Sequence, residues 1–145
     1  ILGFGHAQDT LALQDRQDLG KLVATQKAAE QAFIQAGLSQ KDIQAIEVHD
    51  CFSIAEVLAT EDLGFFAKGK AAKAIANGQT TYGGKLVVNP SGGLKACGHP
   101  VGATGVKQIA YLSSLIEAGQ FNLTLAHNVG GSGATAIVNI LGKKL

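Results

Sequence analysis

The sequence predicts an α/β domain with a mixed five-stranded sheet and helices on both faces. Strand-like apolar runs alternate with stretches of helical spacing along the 145 residues, and this alternation is typical of a layered α/β domain. With 46% hydrophobic residues, the chain can bury one core of ordinary size. No internal repeat or linker divides it, so residues 1–145 are interpreted as a single domain.

The first part of the chain predicts a strand, a helix and a second strand. Residues 1–5, ILGFG, form a short apolar run of strand length. Residues 22–36 place apolar side chains at helical spacing and are followed by Gly37, a residue type that commonly ends helices. Residues 43–49, IQAIEVH, then predict the second strand.

The middle of the chain predicts a further helix and strand. Ser53 and Glu56 have the spacing of a capping box, in which two side chains satisfy the free N–H groups of a helix start. A helix is therefore expected from Ser53 towards Leu63. Residues 85–89, KLVVN, predict a short strand. The residues that follow, PSGG at 90–93, predict a turn.

The last part of the chain predicts a helix and two strands. Residues 102–118 are mostly apolar and are followed by Gly119, which indicates a helix end. Residues 123–128, LTLAHN, and 134–141, ATAIVNIL, are rich in the branched side chains that favour strands. These two strands complete the predicted sheet of five.

Composition and charge exclude several kinds of protein. A net charge of only +1 offers no basic surface for nucleic acid. No apolar run approaches the roughly 18 residues of a membrane span, and no charged and then apolar leader opens the chain. The two cysteines allow at most one disulfide, and a chain with this apolar content does not need one, so a reduced intracellular pair is expected.

The two ends of the sequence support further expectations. The chain contains no methionine and starts with Ile1, so we expect it to begin inside a longer protein. The ending GKKL departs from the peroxisomal signal S-K-L at its small residue. A cytoplasmic location is therefore favoured over a peroxisomal one.

The four histidines stand at strand ends or in glycine-rich turns, where α/β folds place their sites. His49 and Cys51 are two positions apart and share a face if strand geometry continues. Cys97 and His99 repeat that spacing. Pro100 disfavours helical geometry at His99, so the imidazole of His99 is set in a particular direction before any tertiary contact forms.

Two glycines follow His99 inside the predicted helix. Gly102 and Gly105 each weaken a helix by roughly 1 kcal/mol relative to alanine. Such a cost indicates that something comes close to the backbone at these positions. Close approach to the backbone is therefore the first inference from GHPVGATG.

The same residues have structural interpretations. His49 could simply finish a strand and bond to a carbonyl, and Cys51 and Cys97 could be buried thiols, which is the usual state of cysteine. The sequence names no partner for His6. The remaining polar residues have ordinary explanations: helix capping for Glu56, solvation or capping for Asp50, and turn formation for Asn89 before Pro90.

A zinc site is a further alternative. H-x-C at 49–51 and C-x-H at 97–99 together contain two thiols and two imidazoles. The one-residue spacer is shorter than the usual two to four residues between zinc ligands. Zinc is therefore the less favoured interpretation of these four side chains.

Three motifs in this order and spacing resemble the C-terminal half of a thiolase: VHDCFS at 48–53, NPSGGLKACGHPVGATG at 89–105 and LAHNVGGSGA at 125–134. The H-D-C-F motif is similar to that of the sterol-carrier-protein type, whereas many other thiolases carry N-E-A-F. The G-H-P motif separates the chain from the related ketoacyl synthases, in which threonine normally follows the histidine. The resemblance covers essentially all 145 residues, and it implies a thiolase-like fold for 1–145 as the C-terminal domain.

The resemblance implies acyl transfer between coenzyme A thioesters. In thiolases a cysteine of the N-terminal half attacks an acyl-CoA, and the acyl-enzyme then reacts with a second CoA species. Neither Cys51 nor Cys97 matches the motif of that nucleophile. By resemblance, His99 is the base that activates the absent cysteine, because a thiol of pKa about 8.5 needs such help at neutral pH. His49 would donate to the thioester oxygen as the enolate forms.

The resemblance also implies roles for Cys51 and for the motif near the end of the chain. Many thiolases carry a second catalytic cysteine in a C-x-G motif, but the aligned residues here are His127, Asn128 and Val129. In the sterol-carrier-protein type the H-D-C-F cysteine is thought to take over, so Cys51 would move the proton at the α carbon of the substrate. Backbone N–H groups around Val129 and Gly130 would form a second oxyanion hole, and His127 would orient its neighbours or be purely structural.

Four further residues support the implied site: Asn89, Gly98, Gly102 and Gly105. The resemblance implies a CoA thioester as substrate, no cofactor or metal, an N-terminal thiolase half as partner and a homodimer of the whole protein. The isolated chain is expected to be inactive. The alternative function is a non-catalytic thiolase-like scaffold or a zinc-stabilised interaction module.

Overall fold

One five-stranded sheet organises the chain. The computed structural model describes residues 1–143, and its strands are β1 (Gly3–Gln8), β2 (Ala45–Glu47), β3 (Val87–Val88), β4 (Leu123–Gly130) and β5 (Thr135–Gly142). Their order across the sheet is β1, β5, β4, β2, β3. β5 pairs antiparallel with β1 and β4, whereas β2 pairs parallel with β3 and β4. The predicted mixed five-stranded sheet is confirmed.

Helices cover both faces of this sheet. They are α1 (Val23–Ala36), α2 (Ser53–Asp62), α3 (Ala71–Ala76), α4 (Gly93–Cys97) and α5 (Thr104–Glu117), with 3-10 turns at Leu13–Asp15 and Gln40–Asp42. Successive strand residues point to opposite faces. Accordingly, Leu125 belongs to the core beneath α1, whereas the next residue, Ala126, packs with Leu112 and Leu115 of α5.

β1 shows why small residues open the chain. Gly3, Gly5 and Ala7 are buried and alternate with exposed residues. A Cβ on Gly5 would overlap the backbone of Ala28 in α1. The helix can therefore lie this close to the strand only because the inward positions carry little or no side chain.

The predicted capping box at Ser53 is wrong. Phe52 is the N-cap residue of α2, and no side chain caps that helix. The Glu56 carboxylate accepts a hydrogen bond from Nδ2 of Asn89 at 3.1 Å instead. A long-range partner therefore displaces the local one that the sequence spacing predicts.

Several predicted elements are present with other bounds. α1 ends at Ala36, and Gly37 caps it in the left-handed conformation, as predicted. β2 is shorter than the predicted run and ends at Glu47, so His49 lies beyond it. α5 begins at Thr104. The sequence did not predict α3 and α4, which have only six and five residues.

None of the helices in residues 1–143 combines the length and the apolar character that a membrane crossing requires. The last two residues of the GKKL ending, Lys144 and Leu145, lie outside the described residues.

Candidate active site

A cleft of about 990 Å³ opens at the carboxyl ends of β2 and β4. Ligand sites of α/β folds commonly lie at this edge. The cleft brings together most of the predicted site residues, which line it: His49, Cys51, His99, Gly102, Gly105, His127, Val129 and Gly130. Asn89 and Gly98 are not part of the lining.

His49 and His99 meet in this cleft. Their ring centroids are 4.7 Å apart and the rings are nearly perpendicular, at 85°. His49 is 6% exposed, and its Nδ1 has no hydrogen-bond partner among the described residues. Burial lowers the pKa of His49, and the nearby His99 lowers it further against the opposing charge of Asp50. His49 is therefore neutral at neutral pH and has one N–H to donate.

The ring of His99 is held by Thr104. Nδ1 of His99 lies 2.7 Å from Oγ1 of Thr104, which lies 3.3 Å from the carbonyl oxygen of Pro100. The hydroxyl has one hydrogen, so both bonds form when Thr104 donates to Pro100 and accepts from Nδ1–H of His99. In that tautomer Nε2 carries the lone pair, as a general base requires.

Both cysteines are free and exposed, so the buried-thiol interpretation is wrong for Cys51 and Cys97. Cys51 faces the cleft, and its carbonyl oxygen accepts a hydrogen bond from Lys95 at 3.2 Å. Cys97 does not line the cleft, and its thiol lies 3.4 Å from the carbonyl oxygen of Ser91. Within residues 1–143, no three His, Cys, Asp or Glu side chains are grouped to hold a metal ion, so the structure does not assemble the alternative zinc set.

Side chains join the segment that carries His49 to the one that leads to His99. Asn89 accepts from the backbone N–H of Val48 at 2.8 Å, and Asp50 accepts from the N–H of Leu94 at 2.7 Å. Asn89 has a left-handed backbone and forms a turn with Gly92, as predicted. Asp50 is buried and bonds to the first turn of α4, so the capping interpretation of Asp50 is confirmed.

His127 is fully buried on β4. Its Nε2 lies 2.9 Å from Oγ1 of Thr25 in α1. Burial lowers its pKa to about 3, with a smaller contribution from His49. The carbonyl oxygen of His127 accepts from Nε2 of Gln108 at 3.1 Å, and Oε1 of Gln108 accepts from Asn128 at 3.2 Å. The sequence did not reveal Thr25, Thr104 or Gln108, because each is an ordinary helix residue until the fold supplies its partner.

The sheet register distinguishes the two candidate oxyanion donors. The N–H of Asp9 donates to the carbonyl of Ala134, so even-numbered residues of β5 bond to β1 and odd-numbered ones, including Thr135, bond to β4. Gly130 is paired with Thr135, which directs its N–H towards β5. The N–H of Val129 points to the opposite side, where β2 has already ended. Of Val129 and Gly130, it is therefore Val129 whose N–H is directed away from the β4–β5 ladder.

Two charged or titratable residues lie at the edges of this region. Arg16 lines the cleft and donates to the carbonyl oxygens of Thr10 and Ser132 at 2.8 and 2.9 Å, which ties it to the turn after β4. His6, for which the sequence named no partner, is exposed and lies 3.2 Å from Oγ1 of Thr135. His6 does not line the cleft.

Comparison with known proteins identifies the family of this chain. The family profile described as "Thiolase C-terminal domain-like" matches residues 5–143. The chain belongs to this thiolase family. The thiolase domain is 47% identical over 144 residues to the acetyl-CoA acetyltransferase of Methanothermobacter thermautotrophicus, a match that covers 94% of this chain and 38% of that protein.

Two further relatives extend the comparison. Sterol carrier protein 2 of Gallus gallus is 47% identical to the thiolase domain over 120 residues, covering 78% of this chain and 22% of that protein. The solved structure of an Ltp2-ChsH2(DUF35) aldolase matches with a TM-score of 0.82 at 24% identity, over 99% of this chain and 39% of that one, and shows the shared fold. The thiolase domain therefore spans less than two fifths of each of these relatives.

Proposed function

We propose that this thiolase domain supplies half of the active site of an acyl-CoA C-acyltransferase. The whole enzyme would cleave 3-ketoacyl-CoA with coenzyme A or condense two acetyl-CoA molecules. The observation that carries the proposal is the contact between the His49 and His99 rings at 4.7 Å in a cleft that Cys51 also lines. One neutral donor, one free ring nitrogen and one thiol thus face the same space.

Each side chain has a distinct task in this proposal. Nε2 of His99 takes the proton of a cysteine thiol supplied by the N-terminal half, which makes the thiolate that attacks the acyl-CoA. His49 donates to the thioester oxygen of the second CoA species, where negative charge develops as its α carbon loses a proton. Cys51 carries that proton, and the N–H of Val129 donates to the oxygen of the acyl-enzyme.

The apolar walls of the cleft support the proposal that a second half of the enzyme packs against this domain. Large continuous apolar patches on a protein surface mark interaction sites. The exposed apolar side chains that line the cleft are Leu13, Leu19, Phe52, Ile54, Val101, Val106 and Ile137. A Cβ on Gly102 meets no atom within 4 Å in the described chain. The sequence predicted Gly102 inside a helix, but α5 begins only at Thr104, so the helix cost does not apply to Gly102. Close approach of the N-terminal half to this backbone remains part of the proposal, as does a homodimer of the whole protein.

Acetoacetyl-CoA thiolysis tests the proposal directly. The 145-residue chain is measured alone and then with the remainder of its natural protein restored. Activity that appears only after restoration supports the shared active site. Absence of activity in both forms, with circular dichroism showing folded protein, contradicts it and favours a non-catalytic thiolase-like scaffold.

A further inference from the structure

A buried polar cluster joins the segments that carry His49 and His99, and the proposed reaction does not use it. We call it the Glu47 cluster; it consists of Glu47, Ser91 and Lys107. The Glu47 side chain is fully buried, whereas Lys107 is 31% exposed. Oε1 of Glu47 accepts from the N–H of Ser91 at 2.9 Å, and Oε2 accepts from the Ser91 hydroxyl at 2.7 Å and from Lys107 at 3.4 Å.

The cluster joins three segments of the chain. Glu47 ends β2, two residues before His49; Ser91 lies in the turn that leads to α4 and His99; and Lys107 lies in α5, after His99. The Ser91 hydroxyl also accepts from Lys107 and from the N–H of Gly93. Every polar atom of the Glu47 carboxylate and of the Ser91 hydroxyl therefore has a partner.

The backbone does not hold these segments together by itself. β2 and β3 pair only at Ala45 with Val87 and at Ile46 with Val88. Beyond that point the N–H of Asn89 donates to the carbonyl oxygen of Ile46 at 2.8 Å. Side chains then bond across to the facing segment, namely those of Asn89, Asp50 and Glu47. The bidentate contact of Glu47 with Ser91 therefore acts together with the Asn89 and Asp50 contacts in fixing how far the two segments stand apart.

We propose that Glu47 is a positioning residue, whose carboxylate sets the relative placement of His49 and His99 by clamping Ser91 against β2. The inference rests on the proposed function. A buried carboxylate with three donors would also contribute to stability, so a loss of stability alone does not test it. A displacement of about 1 Å at reacting groups can cost about 100-fold in rate, and this rate effect separates positioning from stability.

The experiment compares two buried carboxylates in the full-length protein. Glu47→Gln keeps the shape but turns one acceptor oxygen into a donor that faces Ser91 or Lys107. Glu61→Gln is the matched control, because Glu61 is also buried, accepts from the N–H of Ala71 at 3.0 Å and faces a lysine, but it joins α2 to α3 and not the segments that carry His49 and His99. Steady-state thiolysis, its pH profile and the melting temperature are measured for both variants.

We expect Glu47→Gln to lower kcat by about 10- to 100-fold and to leave the KM for acetoacetyl-CoA within about twofold. The pH profile of kcat is expected to shift, because the two imidazoles no longer hold the same separation. Glu61→Gln is expected to have a lower melting temperature than the wild type and an unchanged kcat. Equal kcat in the two variants, in a folded and active enzyme, overturns the proposal.

Two further results are decisive. An inactive wild-type protein refutes the proposed function itself, and the positioning role of Glu47 with it. If Glu47→Gln does not fold, Ser91→Ala replaces it, because this change removes only the hydroxyl half of the clamp. A kcat about tenfold lower at unchanged KM then supports the proposal, and a wild-type kcat refutes it.

Discussion

Thr104 is 2% exposed, and its hydroxyl lies 2.7 Å from Nδ1 of His99. The same hydroxyl reaches the Pro100 carbonyl oxygen one turn earlier. The backbone carbonyl therefore decides, through Thr104, which nitrogen of His99 carries the proton. The Nε2 lone pair of His99 that the proposed function needs therefore depends on a residue that does not line the cleft.

Thr104→Val is expected to lower kcat of the full-length enzyme by roughly 10- to 100-fold, since hydrogen bonds to groups that become charged contribute about 1.5–3 kcal/mol. Thr104→Ser keeps the hydroxyl and is the matched control. Thiolysis rates and the ¹⁵N shifts of the His99 ring report the activity and the tautomer. Equal rates for the valine and serine variants would show that the tautomer of His99 is set elsewhere.

His127 is expected to make stability depend on pH. Burial lowers its pKa from 6.5 to about 3, so the unfolded chain binds a proton that the folded one excludes. The stabilising contribution is complete above pH 6.5 and is lost as the pH falls towards 3. Each pH unit in that window costs up to about 1.4 kcal/mol from this group, to which the lowered pKa of His49 adds in the same direction.

Urea unfolding between pH 3 and pH 7 measures this slope. Thr25→Val is expected to lower the free energy of unfolding by about 1–3 kcal/mol, because it leaves the buried Nε2 of His127 without a partner. His127→Gln is expected to flatten the slope in this window. A slope that is identical in wild type and His127→Gln would contradict the assignment to His127.

Gly93→Ala is expected to destabilise the domain more than Gly119→Ala does. Both glycines have positive φ, at 63° and 75°, so both substitutions carry backbone strain. A Cβ on Gly119 meets nothing within 4 Å, whereas one on Gly93 collides with the Asp50 carboxylate. Thermal melts of the two variants isolate the collision, and equal melting temperatures would mean that Asp50 moves aside without cost.

Cys51→Ala and His99→Ala are expected to affect different steps. Cys51→Ala should abolish exchange of the substrate's α proton while the nucleophilic cysteine is still acylated, and His99→Ala should slow the acylation itself. General acid–base groups typically contribute about 10²- to 10⁴-fold. Deuterium exchange and trapping of the acyl-enzyme measure the two steps separately, and equal loss of both steps in both variants would refute this division.

The sequence was sufficient for the fold class and for the longer elements. α1 and α5 follow from apolar spacing and terminal glycines, and the paired strands β4 and β5 follow from branched residues. The short helix α4 could not be predicted, because its N-terminus is stabilised by Asp50, 44 positions from Leu94 in the chain. The predicted capping box at Ser53 is wrong for the same reason, since the Glu56 carboxylate accepts a hydrogen bond from Asn89, which is distant in sequence.

The candidate site, like the fold, could be predicted from the sequence only in part. The motifs place His49, Cys51 and His99 at strand ends and turns, and this much follows from the sequence. The contact between the two imidazoles follows from tertiary packing and could be expected only through the family resemblance. One signal for Glu47 was present in the sequence, because a charged residue inside the apolar run IQAIEVH must find a partner when the strand is buried.

The pairing of β1 with β5 also has a consequence for how the domain folds. Gly3 faces Ile140 across the ladder, so β1 pairs with a strand that lies far from it in the sequence. Contacts this distant in sequence slow folding, because a long loop must close before they form. During translation α1 can pack on β1 as soon as both have been synthesised. The edge of β1 that pairs with β5 stays unpaired until β5 has left the ribosome, and during that interval other chains can pair with it.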